Sequence, residues 1–374
     1  MTRNTGAPEA PDSTDAAYTE LPMPDTLSIH SGQLPRQATL MTVVFAAAIG
    51  AVGGLILGAG PTVIVLLAWA IFLVALTTWS TIVEGRRKGT DRLVNAMVWS
   101  TFVIAMLPLL SLLWTVITKG GPVLTPDFLS RDMTGFAALG QGGGIYHAIM
   151  GTIMVTGIAA IIAIPVGVFT AIYLVEYGAA SRLAKMITFL VDVMTGIPSI
   201  VSGLFAISLF IVITGDPLPR LGIGGGVALA LLMIPTVVRS VEEMLKLVPD
   251  DLREASYALG VPKWRTIVKV VLPTAVAGIV TGITLAIARV AGETAPLLLI
   301  VGTFPSANWN PFDGAVQTLP VYIYTSLNGT TDPKYGDIWT DRVWGAALVL
   351  IIIVMALNLI ARIIGNIFAP KTGR

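Results

Sequence analysis

Eight stretches of this chain stay apolar for roughly the length of a helix that crosses a ~30 Å hydrocarbon layer, and this restricts the fold more than any other feature. They lie at residues 39–60, 62–82, 94–117, 147–175, 186–213, 224–240, 273–301 and 343–368. Inside a bilayer the backbone has no water to bond to, so each crossing segment must pair its own N–H and C=O groups, which selects helices. The expected fold class is therefore an all-α polytopic membrane protein with about eight transmembrane helices. Composition agrees: 55% of the 374 residues are apolar and 12% charged, against about 45–50% and ~25% in soluble domains. Three places carry helix-breaking signals. Only Gly60 and Pro61 separate the first two runs, so a tight hairpin competes with one long broken segment. Gly196-Ile197-Pro198-Ser199 interrupts the fifth run, and Pro296 follows Gly292 by one turn in the seventh.

Basic residues give the orientation. Arg86, Arg87, Lys88 and Arg92, then Arg182 and Lys185, then Arg239, Lys246, Arg253, Lys263, Arg265 and Lys269 alternate with segments holding only Lys119 and Arg131, Arg220, or Lys334 and Arg342. The positive-inside bias makes the first set cytoplasmic, and eight spans then put both termini in the cytoplasm, with Lys371 and Arg374 on the same side. The expected segments are a disordered, proline-rich and acidic cytoplasmic tail over 1–37, extra N-terminal helices over 38–117, an extracytoplasmic loop over 118–146 and a transmembrane core over 147–369. A cleaved leader would need an apolar run directly after a basic start, which the tail lacks.

Several activities are disfavoured. The chain has no cysteine and only two histidines, His30 and His147, so thiolate, iron–sulfur and zinc chemistry lack ligands. No glycine-rich loop ends in Lys-Ser or Lys-Thr with the spacing that cradles nucleotide phosphates. The expectation is a non-catalytic subunit without a cofactor of its own, with any ATP bound by another polypeptide. Its surroundings are membrane lipid, and nucleic acid is not an expected partner.

The most informative segment is the basic stretch 242–272. Pro249, Asp250 and Asp251 open a short helix, Leu252, Ala255, Ser256 and Leu259 share one face, and Gly260 with Pro262 stop it. A second helix begins at Pro262, carries Lys263, Trp264 and Arg265, and reaches the membrane at Leu272-Pro273. From the residues alone, a solvated loop helix and a docking element for a soluble partner both fit. The spacing Glu254-Ala255-Ser256, three residues, Gly260, nine residues, Val270, one residue, Leu272-Pro273 resembles the EAA loop of ABC importer permeases. The resemblance implies a type I permease core in which 242–272 is the coupling loop. Glu254, Ala255, Ser256, Leu259 and Gly260 then meet the ATPase subunit, Ser256 standing where the family has a third alanine. Gly260 permits the sharp turn that follows.

Further motifs narrow the resemblance. Gly151-Thr152-Ile153, Ile164-Pro165-Val166-Gly167, Ala171-Ile172-Tyr173-Leu174-Val175-Glu176-Tyr177, Gly196 to Val201 and Ala291-Gly292-Glu293-Thr294-Ala295-Pro296-Leu297 are similar to the PstA-type permeases of bacterial phosphate importers. That family implies a homologous PstC-like permease, two PstB-like ATPase subunits and a PstS-like phosphate-binding protein as partners. It also implies the bacterial inner membrane as the location.

An anion crossing hydrocarbon needs positive charge or oriented donors beside water. Arg289 is the one basic residue placed near the middle of a span, and the resemblance matches it to the arginine implicated in phosphate passage. Glu293 lies four residues on, so an intrahelical pair is geometrically allowed. Self-neutralisation within the bundle and orientation of the guanidinium toward a pathway both remain open. Thr294, Thr195, Ser199 and Ser202 join the candidate pathway through their hydroxyls and the broken helices beside them. Gly50, Gly54 and Gly58, and Gly278 with Gly282, have the spacing of close helix contacts. Trp309, Tyr322, Tyr324, Trp339 and Trp344 suggest an interfacial outer loop over 302–342. Another oxyanion such as sulfate or molybdate, or a gradient-driven secondary transporter or channel without a coupling loop, are the competing functions.

Overall fold

The computed structural model describes residues 33–134, 143–178 and 181–368, and among these every regular element is helical. The expected tail therefore lies outside the described residues over 1–32, as do Lys371 and Arg374. The chain divides into two compact units, Met1–Leu110 and Ser111–Arg374. Seven helices are long and apolar enough to cross a membrane, with an eighth crossing available if the bent pair Arg182–Gly196 and Ser199–Thr214 counts as one.

The first unit holds α1 (Ala38–Ile56), α2 (Pro61–Glu84) and the start of α3 (Arg86–Gly120). The question left open before residue 83 resolves as a helical hairpin: Gly58 turns the chain at φ 60° and Pro61 opens α2 at a position where a missing N–H costs nothing. A Cβ at Gly50 would fall 2.6 Å from the Cβ of Ala68, so this glycine is what lets α1 and α2 touch. Glu84 fastens the unit at one end. Its carboxylate accepts from Arg92 Nε at 2.7 Å and Arg92 Nη2 at 2.9 Å, from Ser80 Oγ at 2.8 Å and from Leu34 N at 2.9 Å.

The second unit begins with the end of α3 and the short α4 (Pro126–Ser130), then α5 (Tyr146–Ile172), which runs into a π turn over Tyr173–Tyr177. After the bent pair, α6 (Arg182–Gly196) and α7 (Ser199–Thr214), comes α8 (Gly222–Lys246). Next are α9 (Asp250–Ala258) and α10 (Lys263–Thr266), the latter continuing through a π turn into α11 (Leu272–Ala291). The short α12 (Ala295–Ile300) and α13 (Leu319–Ser326) precede the long α14 (Gly336–Phe368).

The hub is α8, with 61% of its most apolar window buried against 6–28% for the other unbroken spans. Gly226 meets Ile158, and Val237 and Val238 meet Gly167, so α5 and α8 lie side by side and run parallel. Two parallel neighbours require the chain between them to return across their whole length. The bent pair therefore makes one broken crossing from the Glu176 end to the Leu221 end, which brings the count to eight. Against α11 the direction reverses, since Gly278 meets Met244 and Gly282 meets Ser240.

Both interruptions marked in the sequence are present. α6 and α7 meet at a 106° bend at Ile197-Pro198, because Pro198 has no N–H to continue the ladder. The seventh span is likewise broken, α11 ending at Ala291 and α12 starting at Ala295. One expectation needs correction: Tyr322 is not interfacial. It is 2% exposed with its hydroxyl 3.8 Å from the Met133 sulfur, and burial holds that hydroxyl above the ordinary tyrosine range.

Candidate functional site

The two helices that follow the breaks pack against each other. Gly203, one turn into α7, approaches the backbone of Pro296 so closely that a Cβ there would lie 2.6 Å from the Pro296 carbonyl oxygen. Ile300, one turn after Pro296, packs on Gly224 near the start of α8, while Asp192 of α6 pairs with Arg239 near the other end of α8. The break at Ile197-Pro198 thus lies between those two levels. Two turns past Gly282, Arg289 stands ~10 Å further along the axis, level with about Met233 in the middle of α8.

Arg289 occupies the last turn of α11, where the carbonyl end of the helix favours a cation. Its side chain is exposed, and among the described residues it makes no ion pair or side-chain hydrogen bond. The intrahelical pair with Glu293 is absent because the helix ends first: Glu293 sits in the break, half-buried, with only its backbone N–H bonded to Val290 O at 3.1 Å. Thr294 is the N-cap residue of α12 but its hydroxyl makes no capping bond. Thr195 donates within α6, to Asp192 O at 2.7 Å, and Ser202, buried, donates to Ser199 O at 2.7 Å. The structure thus brings Ser202 and the Thr294–Pro296 turn together through Gly203. No hydrogen bond or ion pair among the described residues links Arg289 to the other five.

Asp192 has a structural role between α6 and α8 that its position in an apolar run does not reveal. It shares Arg239 with Glu242, whose second oxygen accepts from Lys246 at 2.7 Å, so four charges neutralise one another along α6 and α8. Gly224, Gly225 and Gly226 were also missed; they admit Ile300, Val301 and Ile158 against α8. A run of three glycines inside an apolar span was the signal, since glycine there weakens a helix unless it permits close packing.

At the Glu176 end, α9 presents a different surface. Pro249 and the acids Asp250 and Asp251 start it, and Gly260 ends it at φ 73°, the left-handed region that favours glycine. The apolar face expected to contain Ser256 is split. Ser256 turns inward and shares a 2.8 Å hydrogen bond with buried Thr266, while Glu254 and Ala255 stay exposed. Leu259 is 83% exposed, and Leu252, Tyr257, Leu247 and Trp264 accompany it at the surface. Exposed apolar side chains thus stand beside charged ones at one end of the bundle, a combination that also occurs on interaction faces.

With this geometry in place, comparison with known proteins is informative. The family profile described as binding-protein-dependent transport system inner membrane component matches residues 163–374. A phosphate transport system permease protein PstA 1 of Mycobacterium tuberculosis is 48% identical over 280 residues, covering 75% of this chain and 90% of that protein. The phosphate transport system permease protein PstA of Haemophilus influenzae is 36% identical over 279 residues, covering 74% and 94%. A solved bacterial alginate ABC transporter, in complex with an alginate pentasaccharide-bound periplasmic protein, contains a chain 16% identical with a TM-score of 0.51, covering 76% of this chain and 97% of that one. That likeness is one of fold.

Proposed function

The chain belongs to the family of binding-protein-dependent transport system inner membrane components, among its PstA-type permeases, and from that premise we propose that it is the membrane subunit of an ATP-driven phosphate importer. The observation that carries the substrate is the 48% identity to a phosphate permease over 90% of that protein's length. The subunit forms half of a translocation pathway with a PstC-like permease, takes phosphate from a PstS-like binding protein, and is driven by two PstB-like ATPases. ATP binding and hydrolysis belong to those ATPases. The Glu176 end faces the cytoplasm, in keeping with its basic residues, and both termini lie on that side of a bacterial inner membrane.

Each part of the site has a role in this reading. The patch around Leu259, with Glu254, Ala255 and Tyr257, sits in a groove of the ATPase, and the Gly260 turn fixes its angle. Arg289 gives the passing anion a transient partner at mid-depth. An exposed guanidinium there is costly unless it meets water, a partner subunit or an anion, and its planar fork matches an oxyanion. The broken helices beside it leave backbone N–H groups and the hydroxyls of Thr294, Ser199, Ser202 and Thr195 along the same path. Glu293 would repel phosphate and is assigned to positioning or gating. Binding must stay weak enough for the ion to leave.

The test is uptake of labelled phosphate in cells lacking their own high-affinity importer, supplied with this chain and its partner subunits, with sulfate as competitor. Uptake that needs this chain and ignores excess sulfate supports the proposal. Equal competition by sulfate moves the substrate to another oxyanion. Uptake that persists without the ATPase subunits overturns the ATP-driven reading.

A further inference from the structure

The junction behind α9 is built around one side chain. Arg253 is 12% exposed and all five of its N–H donors are engaged, the full capacity of a guanidinium. Its Nε and Nη2 donate to Glu176 Oε1 at 3.2 and 3.0 Å, and Nη2 also donates to Leu245 O at 3.0 Å. Nη1 donates to Val248 O at 2.6 Å and to Asp250 Oδ1 at 3.0 Å. Glu176, only 4% exposed, lies in the π turn that ends α5, while Leu245, in the last turn of α8, and Val248, just beyond it, offer carbonyls; that of Leu245 also accepts from Val248 N at 3.3 Å. One guanidinium thus ties together the end of α5, the end of α8 and the first turn of α9.

Neither a lone ion pair nor a lone cap would do this. A buried pair is only weak evidence for stability, since desolvating both charges offsets most of their attraction. Here the donors are split among two carboxylates, Glu176 and Asp250, and two carbonyls at and just beyond the end of a neighbouring helix, and the directions are set by a rigid planar fork. Lysine, a point charge with three donors, could not reach all of them. From this junction contact is continuous up α8 to Gly224 and Gly225, which pack on Ile300 and Val301, and through α12 to Pro296 and Gly203 at the breaks.

We propose that Arg253, held by Glu176, is a positioning residue that locks α9 to the ends of α5 and α8, so that movement imposed on α9 reaches the mid-depth breaks as motion of one rigid body. This rests on the reading above that α9 docks on the ATPase. Arg253 itself touches neither ATP nor phosphate. Losing the lock leaves the ATPases active and wastes their strokes.

The experiment uses the whole importer in lipid vesicles, measuring phosphate delivered per ATP hydrolysed and the ATPase activity stimulated by the binding protein. In Glu176→Gln and Arg253→Lys, subunit assembly and stimulated ATPase activity stay near the parent's, while phosphate per ATP falls at least about tenfold, as loss of a charge-assisted bond predicts. Because the chain has no cysteine, the doubly substituted Glu176→Cys, Arg253→Cys chain can be bridged by a cleavable bifunctional thiol reagent. Bridging restores phosphate per ATP and cleaving the bridge abolishes it again. Parent-like phosphate per ATP in both single variants, or a bridge that fails to restore it, overturns the lock. A parent chain that transports phosphate without its ATPases overturns the docking reading instead, and the lock with it.

Discussion

Among the described residues nothing pairs with the guanidinium of Arg289, which is exposed at mid-depth. Arg289→Gln keeps the helix and much of the side-chain volume but removes the charge. A charge-assisted hydrogen bond contributes about 1.5–3 kcal/mol, so phosphate uptake is expected to fall about 10- to 100-fold at equal membrane abundance, with Arg289→Lys in between. Parent-level uptake by Arg289→Gln would take the arginine off the path. Gly260 gives a second residue-scale prediction. At φ 73° with open space around it, an alanine meets no clash but strains the backbone by about 1–2 kcal/mol. Gly260→Ala should therefore weaken co-purification of the ATPase with little change in insertion. At this scale Arg289 and Gly260 stand out in the sequence, their types being unusual for their places. Arg253 and Asp192 do not, because their meaning depends on Glu176 and Arg239, distant in the chain.

Elements were legible where a run of apolar residues was long, and their interruptions were legible where a proline removed a donor. Pro198 and Pro296 both announced breaks, yet nothing in either motif says that the helices following them touch. That depends on Gly203, which looks like any small residue in a membrane helix until Pro296 is found against it. The intrahelical pairing of Arg289 with Glu293 failed for the complementary reason: four-residue spacing places two side chains on one face only while the helix continues, and it stops at Ala291. Gly203→Val puts a branched side chain where even a single carbon would touch backbone. Backbone cannot yield as a flexible side chain can, so α7 and α12 must separate, at about 1–3 kcal/mol or more. Uptake should be lost while the chain still inserts and binds its ATPase. Retained uptake would mean that the contact between the broken helices opens freely during transport.

For the whole molecule, the parallel packing of α5 and α8 leads to a prediction about which side of the membrane each loop faces. If the bent pair is a full crossing, Asp216, exposed between α7 and α8, lies on the opposite face from Arg182 and Lys263 and on the same face as Asp313. A re-entrant pair would instead keep Asp216 with Arg182, and α8 would then deliver the basic α9–α10 segment to the outer face, against the positive-inside bias. The natural absence of cysteine makes the test direct. Single cysteines at positions 88, 182, 216, 263 and 313 are exposed to a thiol reagent that cannot cross the membrane, in intact cells and in inverted vesicles. Positions 216 and 313 should react only in cells, and 88, 182 and 263 only in inverted vesicles. Hydropathy alone could not decide this, because α6 and α7 are each too short to cross and the 106° bend separates them. The direction of α8 against α5 decides it, and that direction is fixed by which glycines and apolar side chains meet.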